Sequence, residues 1–285
     1  ILMQKGKRIR PALVILTGKA CGNVNDRTFR GATLVELLHT ATLVHDDVVD
    51  SAETRRGFPS INAVWKNKVA VLMGDYLLAK GLMLSVDGSD YDFLKVITNS
   101  VKRMSEGELL QISKTRKLNN DEETYFKIIS DKTASLLSTC CEIGARSTTD
   151  DENKIKDMKD YGEYLGIAFQ IKDDILDYVG KSFLMGKPLG GDIKEKKLTL
   201  PLIYALNNSD NSEKKAIIKL VKNGKNKKNI SEVIDFVKRK GGIDYSEKVA
   251  LEYSQRAISK LENLPDSESK QALFELVNFV IERKK

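Results

Sequence analysis

The sequence predicts an all-α fold, and three observations carry that prediction. Apolar residues recur at helical spacing through most of the 285 residues, sustained strand alternation is absent, and only five prolines occur, each where a connection is expected. The clearest run is Leu34, Leu37, Leu38, Ala41 and Val44, which share one face of a helix. A chain of this length buries a large core, so one domain or a closely joined pair is expected.

The elements follow in order. A basic segment, Lys5, Lys7, Arg8 and Arg10, precedes Pro11 and an apolar run, which marks a helix entrance facing an anion. The chain opens on Ile1 rather than Met, so an N-terminal segment is expected to be missing. The next helix carries the Leu34–Val44 stripe and both histidines, His39 and His45, and leads into Asp46-Asp47-Val48-Val49-Asp50. The simplest role for His45, directly before Asp46, is to pair with it. Another helix follows Gly74-Asp75, and Lys132-Thr133 open a further apolar run. A second box, Asp173-Asp174-Ile175-Leu176-Asp177, ends another such run and is followed by a glycine-rich connection with Gly186, Lys187, Gly190 and Gly191. Lys214 to Lys240 reads as solvated helices joined at Asn223-Gly224. The last stripe, Leu273, Leu276, Val277 and Val280, marks a core-packing or interface helix.

Composition excludes several classes. No apolar run of about 18 residues occurs, so no transmembrane segment is expected, and no signal-peptide pattern is present. Cys21, Cys140 and Cys141 have neither metal-ligand nor disulfide spacing and read as small core residues in a reducing cytoplasm. The net charge of +7 comes largely from the Lys214–Lys240 stretch. Aromatic residues are scarce there, so nucleic acid is not an expected partner.

The two aspartate boxes carry the chemistry. In a helix Asp46 and Asp50 share a face, as do Asp173 and Asp177. Like charges at that spacing repel, and crowded carboxylates are most readily neutralised by a multivalent cation. Carboxylate ligands without a nearby thiol favour a hard ion, and Mg²⁺, which takes one or two carboxylates together with waters and substrate phosphates, fits best. Two such clusters need an anionic ligand to share. The adjacent Arg55 and Arg56, just after the first box, read as a phosphate clamp, because arginine grips phosphate with a planar fork. Both box acids and these cations have a bland reading as solvated helix ends, which two matching boxes make the weaker one.

These residues form a recognisable pattern: Gly6-Lys7-Arg8-Ile9-Arg10-Pro11, His39 to Arg56-Gly57, Gly74-Asp75-Tyr76-Leu77-Leu78, Lys132-Thr133-Ala134, Phe169-Gln170-Ile171-Lys172 before the second box, and Lys187 to Pro201. In order and spacing the chain resembles the trans-isoprenyl diphosphate synthases, the polyprenyl synthetase family. The resemblance implies a single domain over residues 1–285 with the isoprenoid-synthase fold, a helical bundle around a deep central cavity, usually as a homodimer. It implies that Lys7, Arg10, His39 and Arg56 hold the diphosphate of isopentenyl diphosphate. Asp46, Asp47, Asp50, Asp173, Asp174 and Asp177 match the Mg²⁺-binding boxes. Arg55, Lys132, Thr133, Gln170, Lys187 and Lys197 match positions that grip an allylic diphosphate, with Lys132 and Lys187 joining the aspartates in catalysis. Two departures from the family pattern stand out: Gly190-Gly191-Asp192, and Glu195-Lys196-Lys197 in place of the commoner Glu-Gly-Lys.

The implied reaction is a head-to-tail condensation of an allylic diphosphate with isopentenyl diphosphate. The released diphosphate can accept the final proton, which accounts for the lack of an acid–base dyad or a Ser–His pair in the sequence. Ala41 and Thr42 lie roughly 6–7.5 Å up the helix from Asp46. Family members with an aromatic there stop growth early. Small residues leave the tunnel open toward Leu38, Leu37 and Leu34, faced by Leu78 and Leu82. The expected product is therefore all-trans, longer than fifteen carbons and of the quinone side-chain kind. A shorter farnesyl- or geranylgeranyl-type product is the alternative. A class I terpene cyclase normally lacks the second Asp-rich box and the Lys7, Arg10 and Arg56 set, a non-catalytic subunit of a heteromeric synthase usually loses a box, and a two-metal phosphohydrolase usually mixes His with carboxylate.

Overall fold

The computed structural model describes residues 8–55, 58–179, 189–224 and 226–283, so the expected site residues Lys7, Arg56 and Lys187 lie outside the described residues. Among these there are thirteen α-helices, one π-helical turn and two short strands. The helices are α1 (Ile9–Cys21), α2 (Asp26–Val49), α3 (Ile61–Asp87), α4 (Tyr91–Lys117), α5 (Glu122–Ile129), α6 (Ser135–Arg146) and α7 (Glu152–Val179). They continue with α8 (Gly191–Lys194), α9 (Leu200–Asn207), α10 (Asn211–Lys222), α11 (Lys227–Arg239), α12 (Gly242–Ser259) and α13 (Glu268–Glu282). The strands β1 (Thr54–Arg55) and β2 (Phe58–Pro59) form an antiparallel pair with Thr54 opposite Pro59. At two residues each they are too short to show alternation in the sequence. Pro11 lies in the first turn of α1, as the helix entrance expected there requires, and Pro201 in the first turn of α9, positions where the missing N–H is not needed by the helix.

The chain divides into two compact units. The first holds Ile1–Asn99, Thr139–Lys159 and Leu264–Lys270. Here α2 begins at a reciprocal cap: the Thr28 N–H donates to Asn25 Oδ1 (3.2 Å) and the Asn25 N–H to Thr28 Oγ1 (3.3 Å). One turn on, Arg27 and Arg30 both reach the buried Asp90 (2.8 Å each), tying the start of α2 to the chain just before α4. Val14, Phe93 and Ile143 converge around Gly31, so α1, α2, α4 and α6 meet there. All three side chains are fully buried, worth about 1.5–3 kcal/mol each.

Within the same unit α3 departs from the sequence-based expectation. Its backbone breaks at Lys66 (φ 67°), and its remainder is long and apolar enough by length and composition to cross a membrane, with a mean hydropathy of 1.6 and 28% of that stretch buried. Asp75 and Lys80 interrupt the apolar run but are too few to offset it. The face turned away from α2 is exposed, including Trp65, Val69, Leu72, Met73 and Tyr76.

The second unit holds Ser100–Ser138, Asp160–Asn263 and Gln271–Lys285. Its core joins Ile167, Ile171 and Ile175 of α7 to Leu202 and Ile203 of α9, Ile217 and Val221 of α10, Val233, Phe236 and Val237 of α11, and Val249 of α12. Two buried tyrosines keep their hydroxyls satisfied, Tyr161 on the Leu273 carbonyl (2.8 Å) and Tyr178 with Thr199 Oγ1 (3.1 Å). Leu273, Val277 and Val280 of α13 are buried, so the last stripe packs inward.

Candidate active site

In the first unit, α2 delivers the first box. Its final turn closes with the Asp50 N–H on the Asp46 carbonyl (2.8 Å); Asp46 and Asp50 are exposed, and Asp47 turns inward and is buried. Two turns earlier Arg10 Nη1 donates to His39 Nε2 (2.9 Å). A guanidinium has no acceptor, so this imidazole nitrogen carries no proton in that contact. The structure thus brings together two residues that the sequence placed in one anion site. His45 does not pair with Asp46 as expected. Its Nε2 faces Asp75 (3.2 Å) and the Val71 carbonyl (3.3 Å) on α3. Gly74 makes the room, since a Cβ there would stand 2.2 Å from His45 Nε2.

Ala41 is buried in a small cluster with Val44, Ala70 and Leu77, against which Leu37, Val48, Ile61 and Leu78 pack. Thr42 is half-buried and donates to the His39 carbonyl (2.9 Å). Arg55 lies in β1, and its side chain, like Arg56, lies outside the described residues.

In the second unit a cavity of about 240 Å³ gathers Gln111, Lys114, Asn120, Tyr125, Lys132, Thr133, Gln170, Asp174, Asp192, Lys197 and Thr199 on its wall. The π-helical turn Ser130–Ala134 delivers Lys132 and Thr133. Its wide hydrogen bond, Ser135 N–H to the Ser130 carbonyl, accommodates one more residue than an α-turn and is a feature often found at functional sites. Arg103 anchors the turn, donating to Asp131 Oδ1 (2.8 Å), Ser130 Oγ (2.8 Å) and Glu163 Oε1 (2.7 Å). Burial works against the Arg103 charge, but the hydrogen bonds to Glu163 and Asp131 outweigh it and raise its pKa.

From this turn a chain of hydrogen bonds runs to the second box. Thr133 Oγ1 donates to Gln170 Oε1 (2.9 Å), Gln170 Nε2 donates to Asp174 Oδ1 (2.8 Å), and Tyr125 Oη donates to Asp174 Oδ2 (2.7 Å). Lys132 forms an ion pair with Glu108 and approaches Gln111 Oε1 (3.5 Å). Burial, with the charge of Asp192 added, pushes the Asp174 carboxyl well above the usual range. Asp192 itself is pushed up to about 7 by burial and by Asp177, partly offset by Lys197, which pairs with Glu195 (2.6 Å).

The other two acids of this box are engaged elsewhere. Asp177 accepts the N–H groups of Gly191 (2.9 Å) and Asp192 (3.0 Å), which orients the start of α8; the turn into it needs the left-handed backbone of Gly190 (φ 77°). Asp173 pairs with Arg283 (2.5 Å), which stacks on Phe169. Neither side chain lines the cavity wall among the described residues, and no group of three or more His, Cys, Asp or Glu side chains there forms a ready metal cage.

Sequence reasoning missed Tyr125, Glu108, Asn120 and Asp192. Asp192 was visible only as part of a departure from a motif, and Tyr125 through its place seven residues, two helical turns, before Lys132. Glu108 and Gln111 are three apart on α4, the spacing that puts both on one face.

The sequence pattern of the family described as polyprenyl synthetase matches residues 1–237. The chain is 38% identical over 279 residues to an all-trans-nonaprenyl-diphosphate synthase (geranyl-diphosphate specific) of Rhodobacter capsulatus, covering 98% of this chain and 85% of that protein. It is 35% identical to a geranylgeranyl diphosphate synthase of Saccharolobus solfataricus, over 98% of this chain and 87% of that one. Among solved structures, a decaprenyl diphosphate synthase from Rhodobacter capsulatus superposes with a TM-score of 0.92 at 37% identity, covering 99% of this chain and 87% of that chain.

Proposed function

The chain belongs to the polyprenyl synthetase family, and from that premise we propose that it is a Mg²⁺-dependent all-trans polyprenyl diphosphate synthase making products longer than fifteen carbons. At the coarser level it is a trans-prenyl diphosphate synthase, a prenyltransferase with the all-helical isoprenoid-synthase fold. The diphosphate site in this reading rests above all on one observation: Lys132, Thr133, Gln170, Asp174 and Lys197 converge on a single cavity.

The donor set of both boxes consists of carboxylate oxygens without thiol or imidazole, which suits a hard cation. Two acids on one cavity wall, Asp174 and Asp192, both resist ionisation, the condition that a bound cation relieves. In this reading Asp46, Asp47, Asp50, Asp173, Asp174 and Asp177 are the residues that would hold Mg²⁺. Mg²⁺ takes one or two carboxylates and completes its shell with waters and substrate phosphates. When bound, it supplies positive charge against the departing diphosphate as the carbon–oxygen bond breaks.

The chain's own groups do the rest. Lys132 and Lys197 exchange Glu108 and Glu195 for diphosphate oxygens, with Arg55 and Lys187 assigned to the same anion. Gln170, itself held by the Thr133 hydroxyl, donates to Asp174 and orients its carboxylate. Arg10 and His39, with Lys7 and Arg56, take the diphosphate of isopentenyl diphosphate and so hold the second substrate in one orientation. The final proton passes to the released diphosphate. The chain-length reading rests on the small side chains of Ala41 and Thr42 above the first box, where Ala41 packs against Val44, Ala70 and Leu77.

The protein acts as one domain and as a homodimer, for which the exposed apolar face of α3 is a suitable surface. Three free thiols suit the cytoplasm. Purified protein given isopentenyl diphosphate and several allylic primers should yield products beyond fifteen carbons by mass spectrometry; farnesyl diphosphate as the sole end product would refute the chain-length reading. No turnover by the protein alone would refute the homomeric synthase.

A further inference from the structure

We propose that the outer face of α10 docks onto an anionic lipid bilayer. Residues 210–240 hold ten Lys and Arg against four Asp and Glu, so this one stretch carries most of the chain's net charge of +7. The structure shows how that charge is presented. Lys215, Lys219 and Lys222 occupy positions i, i+4 and i+7 of α10 and are all exposed, which makes a lysine stripe about 10 Å long. That is about one Debye length at physiological salt, so the three charges act jointly on a surface. Lys214, Lys227 and Lys228 extend the patch across the turn into α11 and are exposed too.

The neighbouring acids do not neutralise it. Glu213 is held by Arg239 (2.8 Å) and Lys240 (2.6 Å), and Asp210 accepts the Ser212 and Glu213 N–H groups at the start of α10. Among the described residues, no carboxylate forms an ion pair with Lys215, Lys219 or Lys222. Glu232 and Asp235 are exposed on α11, which centres the patch on α10. The opposite side of α10 is fixed by Ile217 and Val221 in the core, so the stripe cannot rotate away.

The chemistry of the patch favours lipid over nucleic acid. From 214 to 228 it contains lysine but neither arginine nor an aromatic residue. Strand recognition draws on guanidinium forks and stacking rings. Ammonium groups on flexible stems match a fluid layer of phosphate headgroups, where each lysine near the surface contributes a factor of about five in binding. The choice of a bilayer also draws on the prenyl-transfer reading, since a chain beyond fifteen carbons partitions into membrane.

Vesicle flotation tests this directly. The full protein should float with phosphatidylcholine vesicles containing phosphatidylglycerol, not with phosphatidylcholine alone, and high salt should release it. The triple variant Lys215→Gln, Lys219→Gln, Lys222→Gln should bind on the order of a hundred-fold more weakly. Its circular dichroism and its turnover of a soluble primer should be unchanged. Absence of binding to the anionic vesicles, equal binding by the variant, or tighter binding to a single-stranded oligonucleotide at the same salt would overturn the proposal. Lipid binding is read without turnover, so failure of the prenyl-transfer reading would be seen separately.

Discussion

Replacing Asp192 by Asn tests the electrostatics of the cavity. Burial and the charge of Asp177 push the Asp192 carboxyl up to about 7, against an ordinary aspartate value near 3.9. The folded protein therefore holds this proton more tightly than the unfolded chain, so stability is fully present below about pH 4 and is lost as pH rises toward 7. A displacement of about three units corresponds to about 4 kcal/mol at full desolvation; Asp192 retains some solvent contact, which lowers the expectation to about 2–3 kcal/mol at pH 8. Asn keeps the backbone N–H that Asp177 accepts and removes the charge. Urea unfolding of both proteins in metal-free buffer at pH 4.5 and pH 8 is the assay. Asp192→Asn should be more stable than the parent by that amount at pH 8 and by less than about 1 kcal/mol at pH 4.5. Equal stabilities at both pH values would show that the acids of this cavity are not in conflict, and the reasoning would fail.

Three further outcomes are expected. Ala41→Phe should shorten the product while turnover persists, because an aromatic among Ala70, Leu77 and Leu78 would push into the path assigned to the growing chain; an unchanged length distribution by mass spectrometry would place the floor elsewhere. Arg103→Met leaves Asp131 and Glu163 without their shared cation and should destabilise by about 3 kcal/mol in guanidinium unfolding, with a loss of turnover as the π-helical turn carrying Lys132 shifts. Gly74→Ala should cost about 1–3 kcal/mol through its clash with His45, and His45→Ala in the same chain should restore most of it; additive losses would contradict the contact.

The helices were legible because their apolar stripes are regular: Leu34 to Val44 lies in α2, Leu273 to Val280 in α13, and the lysine-rich stretch resolves into α10 and α11 joined near Asn223. What escaped depended on contacts between segments distant in sequence. Nothing in Ser130–Ala134 announces a π-helical turn, since its cause is the anchoring of Ser130 and Asp131 by Arg103, some thirty residues earlier. The pairing of His45 with α3 depends on the missing side chain of Gly74. The second box looked like three equivalent acids. The fold gives each its own environment, with Arg283 on Asp173, Tyr125 and Gln170 on Asp174, and two backbone N–H groups on Asp177. In α3, Asp75 and Lys80 hid a stretch whose average hydropathy reaches that of a membrane helix.

Isothermal titration of the intact protein with inorganic pyrophosphate, in Mg²⁺ and again in excess chelator, addresses the role of the aspartates most directly. Strong heat in Mg²⁺ and its loss in chelator, with the helical circular dichroism unchanged, is the predicted pair of results. Equal affinity in both buffers would contradict the account, because the lysines and arginines alone would then suffice to hold the anion.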